Sequence, residues 1–600
     1  MTTSDKADPM HSSDSIEKLK KNMDQVEVLS QRLIEVMGRK KPHNAALDGP
    51  NQDLFARAAT AYWAEAAQNP ARLLEQQIEF WGKSVMNFAE AQQVSTSESA
   101  ESAAASPKDR RFANPMWQSN PYFHFIKQQY LTNAAAIRQS VAEVDDLEGI
   151  DKTRLGYFAD QIVDLMAPTN FLATNPDALE KAVETEGQSL IDGLENLVAD
   201  LEANNGELIV KLADESAFEL GVNIATSEGE VVYRNRMMEL IQYSPTTETV
   251  HETPIVLFPP WINKFYILDL KAQNSLIKWV VEQGYTLFVV SWVNPDESYA
   301  DVGIEAYIQE GFLTAFDVVK QICKVSQVNA VGYCIAGTTL SLTLSLLKQR
   351  GDTSVKSATF FTALTDFGDQ GEFTPFLQDD FIDGIEAEVA EVGLLRSYIM
   401  ARTFSFLRSN DLVYAPAIRS YMMGQTPPAF DLLYWNGDGA NLPAKMAVQY
   451  LRGLCQGNEF AGDGFELMGH KLRLSEVDVP LMSITCETDH IAAWKACYQG
   501  VQQMGSRSKS FIVSQSGHIA GIINPPSKKK YGHYTNADLK LDAADWFDGA
   551  KFNEGSWWPR WQSWLKKRSG KQVAARQPGD SDHPPLAPAP GTYVKLNARR

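Results

Sequence analysis

From Thr253 onward, short runs of β-branched and other apolar residues alternate with longer stretches of helical character. The runs are Ile255-Val256-Leu257-Phe258, Leu287-Phe288-Val289-Val290, Val328 to Val331, Ala358-Thr359-Phe360-Phe361, Leu481-Met482-Ser483-Ile484 and Phe511-Ile512-Val513. Segments of crossover length separate them, which predicts a largely parallel sheet with helices on both faces. Between about Leu364 and Tyr450 the alternation gives way to an acidic, aromatic-rich insertion. An insertion at this point of an α/β core is expected to form a cap over a site.

The first hundred residues follow another pattern. Asp14-Ser15-Ile16-Glu17 resembles a capping box, and Ile16, Leu19, Met23, Val26, Leu33 and Met37 then recur at steps of a helical face. A second helix is expected to open at Asn69-Pro70, with Leu74, Ile78, Trp81, Val85 and Phe88 on one stripe. These stripes suit either local helix packing or docking of a partner subunit or hydrophobic particle. Val94 to Pro107 is rich in Ser, Ala and Glu and reads as a linker. From about Arg110 to Tyr243 the pattern is mainly helical, with Trp117, Tyr122, Phe123, Phe125 and Tyr130 as aromatic anchors. The expected domains are a helical extension and linker over 1–107, a mainly helical domain over 108–248, an α/β domain over 249–570 with its cap at about 364–450, and a Pro-rich tail over 571–600.

A chain of 600 residues can bury a large core and holds more than one domain. Its net charge of -20 argues against a nucleic-acid partner, because phosphate binding needs a concentrated basic surface. Lys528-Lys529-Lys530, the densest basic run of the α/β half, reads as a solvated loop. No apolar run approaches the roughly 20 residues that cross a bilayer, and Met1 to Lys6 lacks the apolar stretch of a secretory signal. A cytoplasmic protein with five reduced cysteines is expected, and their spacing suits neither a disulfide framework nor a metal site.

One cysteine stands apart. Val331-Gly332-Tyr333-Cys334-Ile335-Ala336-Gly337-Thr338 follows a β-type run and opens a long apolar helix. Small residues around a nucleophile at a strand-to-helix turn resemble the elbow of α/β-hydrolases, here with a thiol. A small buried core cysteine would satisfy the same segment. A thiol nucleophile needs a base, and the base an orienting carboxylate. Cys486-Glu487-Thr488-Asp489-His490 follows one strand and Ser516-Gly517-His518 the next. Cys334, Asp489 and His518 thus come in the nucleophile, acid, His order of α/β-hydrolases, each just past a strand end. Singly, Asp489 could be a turn residue and His518 a loop histidine. His490 ranks below His518 because adjacent residues on extended backbone point apart, and Glu487 is the alternative acid. Cys486 and Cys497 have no elbow context.

The chain resembles the single-subunit, class I polyhydroxyalkanoate synthases. Gly332-Tyr333-Cys334-Ile335-Ala336-Gly337-Thr338 is similar to that family's lipase-like box, with Ala336 where many members have Gly. Further landmarks are Phe171 to Pro176, Pro259 to Asp269, Thr403 to Arg408, Trp435-Asn436-Gly437-Asp438, Gly517 to Gly521, Gly555-Ser556-Trp557-Trp558-Pro559 and Pro590 to Val594. The resemblance runs from about Arg111 to the C-terminus and fits the early helices more loosely. It implies an α/β-hydrolase fold with a cap, preceded by a mainly helical domain. It also implies polymerisation of (R)-3-hydroxyacyl-CoA, foremost 3-hydroxybutyryl-CoA, into a polyester with release of CoA, and no cofactor beyond the CoA of the substrate. A homodimer at the surface of polyester granules, with granule coat proteins as further partners, belongs to the same expectation.

The residue chemistry agrees with that implication. His518 would take the proton of Cys334, and the thiolate would attack the acyl thioester. One thioester replaces another, so the acyl group stays activated for chain growth. The backbone N–H of Ile335 and that of Ile262, on the loop after the first α/β strand, are the expected oxyanion donors. Asp489 either orients His518 or acts directly on the incoming hydroxyl. Trp435 resembles a family aromatic linked to synthase assembly, and it equally suits a buried anchor under the cap. A medium-chain synthase, a Cys-dependent thioesterase or polyester depolymerase, and an inactive granule-binding protein are the rival functions.

Overall fold

The computed structural model describes residues 13–38, 70–94, 109–144, 147 and 149–597. The linker expected before Pro107 lies outside them. The described residues form two compact units, one gathering those up to Leu212 together with Arg408–Pro428, the other Ala213–Leu407 together with the residues from Ala429 onward.

The first unit is helical. Both early helices form, α1 over Ser13–Gly38 and α2 over Pro70–Val94. They are followed by α3 (Pro121–Ala142), α4 (Gly149–Leu165) and α5 (Gln188–Ala203). Asn120 caps α3 by accepting from the Tyr122 N–H, with Pro121 in the first turn. Phe112, Trp117, Phe123 and Tyr130 are buried as one cluster, whereas Tyr122 is exposed. The apolar stripes face otherwise than a simple core stripe would. Helix α1 packs on α5 through Leu29, with Leu33 beside it, and through an Arg32–Glu202 ion pair at 2.6 Å, and leaves Met23, Val26 and Met37 exposed. Helix α2 meets α3 through polar side chains, Asn87 donating to Thr132 at 3.0 Å and Gln129 to Ser84 at 3.2 Å. Ile78, Trp81, Val85 and Phe88 remain largely exposed.

A segment of the insertion belongs to this unit. Asn410 donates to Asp164 at 2.9 Å, Tyr421 to Asp200 at 2.7 Å, and the absence of a side chain at Gly193 admits the Tyr421 carbonyl. Arg111 pairs with both Asp109 and Asp164.

The second unit is built on an eleven-stranded sheet. Its strands in chain order are β1 (Gly229–Arg234), β2 (Met238–Tyr243), β3 (Ile255–Phe258), β4 (Leu287–Trp292), β5 (Val328–Tyr333), β6 (Val355–Phe361), β7 (Leu481–Cys486), β8 (Lys509–Ser514), β9 (His533–Thr535), β10 (Lys551–Asn553) and β11 (Ala587–Pro588). The spatial order is β10-β9-β8-β7-β6-β5-β3-β4-β2-β1-β11. The six strands expected from the sequence, β3 to β8, form the parallel centre. Antiparallel strands extend it on both sides. Residues 229–243, expected within the helical domain, thus belong to the sheet as β1 and β2, and the Pro-rich tail adds β11 to its edge. Pairing the tail covers backbone groups that an open edge would leave exposed.

The insertion follows β6 and holds helices at Asp379–Val392, Ser397–Phe406 and Asp431–Gly437. Its last part is tied to the loop after β3. The Ala440 N–H donates to the Ile262 carbonyl at 2.9 Å, the Trp435 indole N–H to the Lys264 carbonyl at 2.7 Å, and Lys264 pairs with Asp438 at 2.7 Å. Trp435 is buried in the core of this unit, as an anchor beneath the insertion.

Candidate active site

The thiol, the carboxylate and the imidazole come from the ends of β5, β7 and β8. Cys334 follows β5 and stands at the N-cap of α6 (Ile335–Gln349) with φ 54° and ψ −127°. That conformation is costly for a residue with a Cβ and is held by its surroundings. A Cβ on Gly332 would come within 2.7 Å of the Gly337 Cα, and one on Gly337 would collide with Ala363. These two positions need glycine. Ala336 is fully buried, so the elbow forms around its methyl group. The Cys334 N–H donates to the Phe361 carbonyl at 2.9 Å, which ties the turn to the neighbouring strand.

Asp489 and His518 meet at 2.7 Å, carboxylate Oδ2 to imidazole Nδ1. The other carboxylate oxygen accepts from the N–H groups of Ile491 and Ala492, both at 2.9 Å. The Asp489 side chain has 0% exposure, so its acceptors face only protein. Cys334 lies close enough to His518 for the charge of its thiolate to act on the imidazole. Burial pulls the imidazole down, but the charge of Asp489, the charge of a Cys334 thiolate and the hydrogen bond the ring donates to Asp489 outweigh it and push His518 up to about 10.

The loop that carries His518 is fixed from three directions. The Tyr333 hydroxyl donates to the His518 carbonyl at 3.1 Å. The indoles of Trp557 and Trp558 donate to the carbonyls of Gly521 and Ile522 at 2.8 and 2.9 Å. Gly521 itself lies against the Cys486 sulfur, where no side chain would fit. The sequence singles out the Trp557-Trp558 pair as a landmark, but its hold on the histidine loop emerges from packing. Tyr333 has only its place beside the thiol as a signal.

The structure brings Cys334, Asp489 and His518 together and leaves the alternatives apart: Asp489, not Glu487, reaches His518, and His518, not His490, faces it. Among the described residues, the N–H groups of Ile335 and Ile262 have no backbone acceptor outside helices and strands. The first is an orphan donor of a helix start. The second lies on the loop clamped by Ala440. The other four cysteines are buried, and burial pushes their thiols up, Cys323 to about 12. Cys334 alone among the five is partly exposed. No group of metal-ligating side chains occurs among the described residues, and no helix among them is long and apolar enough to cross a membrane.

The comparisons with known proteins agree with the sheet. Residues 108–280 match the family described as the poly-beta-hydroxybutyrate polymerase (PhaC) N-terminus, and residues 254–525 match the alpha/beta hydrolase fold. A solved monoglyceride lipase variant from Saccharomyces cerevisiae matches at 9% identity and a TM-score of 0.37, over 59% of this chain and 100% of that one. The poly(3-hydroxyalkanoate) polymerase of Methylorubrum extorquens is 41% identical, over 82% of this chain and 81% of that one. The poly(3-hydroxyalkanoate) polymerase subunit PhaC of Cupriavidus necator is 40% identical, over 82% and 83%. Identity of this degree, sustained through the helical unit as well as the α/β unit, makes the chain an enzyme of the α/β-hydrolase fold that belongs to the poly(3-hydroxyalkanoate) polymerase family.

Proposed function

We propose that the enzyme polymerises (R)-3-hydroxyacyl-CoA through a thioester on Cys334, with 3-hydroxybutyryl-CoA as its preferred unit and CoA as the product released. The observation that carries this reading is the thiol at a strained elbow, close to an imidazole that a fully buried carboxylate holds. The preference for the four-carbon unit rests on the resemblance of the motifs to the single-subunit class.

In the first step the Cys334 proton moves to His518 Nε2, the sulfur attacks the acyl carbon, and the carbon–sulfur bond to CoA breaks. CoA leaves with the proton from His518. In the second, His518 takes the proton of the hydroxyl on an incoming unit. That oxygen attacks the acyl carbon on Cys334, the thioester breaks, and His518 returns the proton to sulfur. The lengthened acyl-CoA then reacylates Cys334, so each added unit releases one CoA. The N–H groups of Ile335 and Ile262 receive the oxyanion in each addition. Asp489 orients His518 and stabilises its protonated form; its complete burial and its three filled contacts favour this role over direct action on the hydroxyl. The parts of the insertion that belong to the α/β unit, 364–407 and 429–450, exclude water that would end the chain by hydrolysis.

In the same reading the enzyme works in the cytoplasm, as a homodimer at the surface of polyester granules. The exposed apolar side chains of α1 and α2 support granule attachment, which removal of the residues before Arg110 should weaken. The central test follows free CoA thiol and insoluble polymer together from (R)-3-hydroxybutyryl-CoA, with Cys334→Ala in parallel. CoA and polymer, both lost in the variant, are expected. Release of CoA with only soluble 3-hydroxybutyrate would instead make the enzyme a thioesterase.

A further inference from the structure

The loop that carries His518 also carries the densest basic run of the α/β unit. It leaves the C-terminal end of β8 at Gln515 and enters β9 after Gly532. Its two ends are joined, the Gln515 N–H donating to the Gly532 carbonyl and the Gly532 N–H to the Gln515 side-chain oxygen, both at 2.9 Å. Ser514 and His533 pair across the antiparallel strands, so Ser516 and Tyr531 come next on the two sides of the loop. Cys334 and Asp489 follow β5 and β7, which run parallel to β8 in the same sheet. Thiol, carboxylate, imidazole and basic run therefore share the C-terminal edge of the sheet, where open α/β folds bind their ligands.

Lys528, Lys529 and Lys530 form the exposed return of this loop. Its backbone is tied down: the buried Asn524 side chain donates to the Tyr531 carbonyl at 3.0 Å, and the Lys528 N–H to the Pro525 carbonyl at 3.1 Å. The Lys530 ammonium lies 4.8 Å from the centroid of the Tyr531 ring. The Tyr531 phenol is held below its ordinary range, foremost by Lys530 and then by Ser516, with the charge of Lys528 adding to the effect. The basic run is thus gathered beside Ser516, two residues before His518. Other surface lysines of this unit have acidic partners, Lys271 with Asp431 and Lys348 with Asp478. Among the described residues no carboxylate pairs with Lys528, Lys529 or Lys530.

Adjacent like charges repel one another, and an anion seated among them relieves that repulsion. A chain of net charge -20 also needs a local basic patch to draw in an anionic substrate. The CoA thioester of the polymerase reading is such a substrate. Its acyl end has to reach Cys334, and its long pantetheine arm leaves the phosphates of the nucleotide end outside, in water.

We propose that Lys528, Lys529 and Lys530 form the site that receives the phosphates of the CoA nucleotide while the acyl thioester lies at Cys334. The inference rests on the polymerase reading above and deepens it. The lysines take no part in bond making. They hold the end of the substrate that leaves with CoA, so they act on its capture and not on the chemical step.

The test follows free thiol released from (R)-3-hydroxybutyryl-CoA and from (R)-3-hydroxybutyryl-pantetheine, which has the same acyl group and arm without any phosphate. It uses the wild type, a variant with Lys528→Gln, Lys529→Gln and Lys530→Gln together, and its counterpart with Lys528→Arg, Lys529→Arg and Lys530→Arg. The Gln variant should raise KM for the CoA thioester roughly 10-fold with kcat little changed, because it removes binding that is equal in the ground and transition states. Its KM for the pantetheine thioester should match that of the wild type. The Arg variant should keep the wild-type KM for both donors. Added salt should bring the wild type and the Gln variant together, since it screens the attraction that only the wild type has. An unchanged KM for the CoA thioester in the Gln variant would overturn the phosphate site, and so would an equal rise for both donors; in either case CoA release by the wild type leaves the polymerase reading standing. A wild type that releases no thiol from the CoA thioester would overturn both.

Discussion

Replacing Asp489 by Asn tests how the buried carboxylate serves the reaction. The amide fits the same space, and its oxygen can still accept from the N–H groups of Ile491 and Ala492. Its NH2 then faces His518 Nδ1, which becomes an acceptor, and the ring is left with its hydrogen on Nε2 toward Cys334. A base in that tautomer cannot take the thiol proton. The charge effect acts in the same direction. His518 is raised from 6.5 to about 10, equivalent to about 5 kcal/mol of preference for the protonated ring at about 1.4 kcal/mol per unit. Asp489 is the larger of the two sources of that rise, Cys334 the other. Without the carboxylate, burial dominates and pulls the imidazole down. We expect kcat for CoA release at pH 7 to fall roughly 10³- to 10⁴-fold with KM changed far less. The pH dependence of stability should change with it. A folded-state value above the unfolded one stabilises the wild type fully below about pH 6.5, and this contribution is lost as pH rises toward 10. The Asn variant should lack that loss between pH 6.5 and 10 in thermal unfolding. Retention of kcat within about 10-fold of wild type, or an unchanged pH slope of Tm, would refute the argument.

Three further substitutions probe the supports of the site. Tyr333→Phe removes the hydrogen bond to the His518 carbonyl; about 1–3 kcal/mol of stability and roughly a 5-fold drop in kcat are expected, measured by denaturant unfolding and CoA release. Gly521→Ala puts a methyl group 2.9 Å from the Gln515 carbonyl and 3.1 Å from that of Gly517, besides its collision with the Cys486 sulfur. The His518 loop should shift, lowering kcat and costing about 1–3 kcal/mol, and unchanged kinetics would show that the loop tolerates the bulk. Trp435→Ala deletes a buried side chain and leaves the Lys264 carbonyl without its indole donor. Its main effect should be a loss of about 3–5 kcal/mol of unfolding free energy at constant protein concentration, and a variant of normal stability that only dissociates would overturn the anchor role.

Local pattern made much of this molecule legible. The six central strands appear where short apolar runs alternate with helical stretches, because strands in a parallel sheet are buried and apolar along their whole length. The order of Cys334, Asp489 and His518 can be read because each residue follows such a run and the elbow needs small residues at Gly332 and Gly337. Both early helices are equally local features, although α1 begins at Ser13, ahead of the expected cap Asp14, and the expected cap Asn69 lies outside the described residues. The short edge strands, down to the two residues of β11, carry too little periodicity to announce themselves, and their place depends on which sheet edge is free. The same holds for 408–428, which leaves the insertion to join helices more than 200 residues away in sequence, as the Tyr421–Asp200 bond shows. The direction of the stripes on α1 and α2 was likewise decided by their partners, since an amphipathic pattern fixes a face but not what meets it. The fold class, the central strands and the order of the reactive side chains were legible in the chain alone, since all of them follow from spacing along it. What holds His518 in place and how completely Asp489 is enclosed were settled by tertiary packing, because each depends on atoms that distant segments bring together.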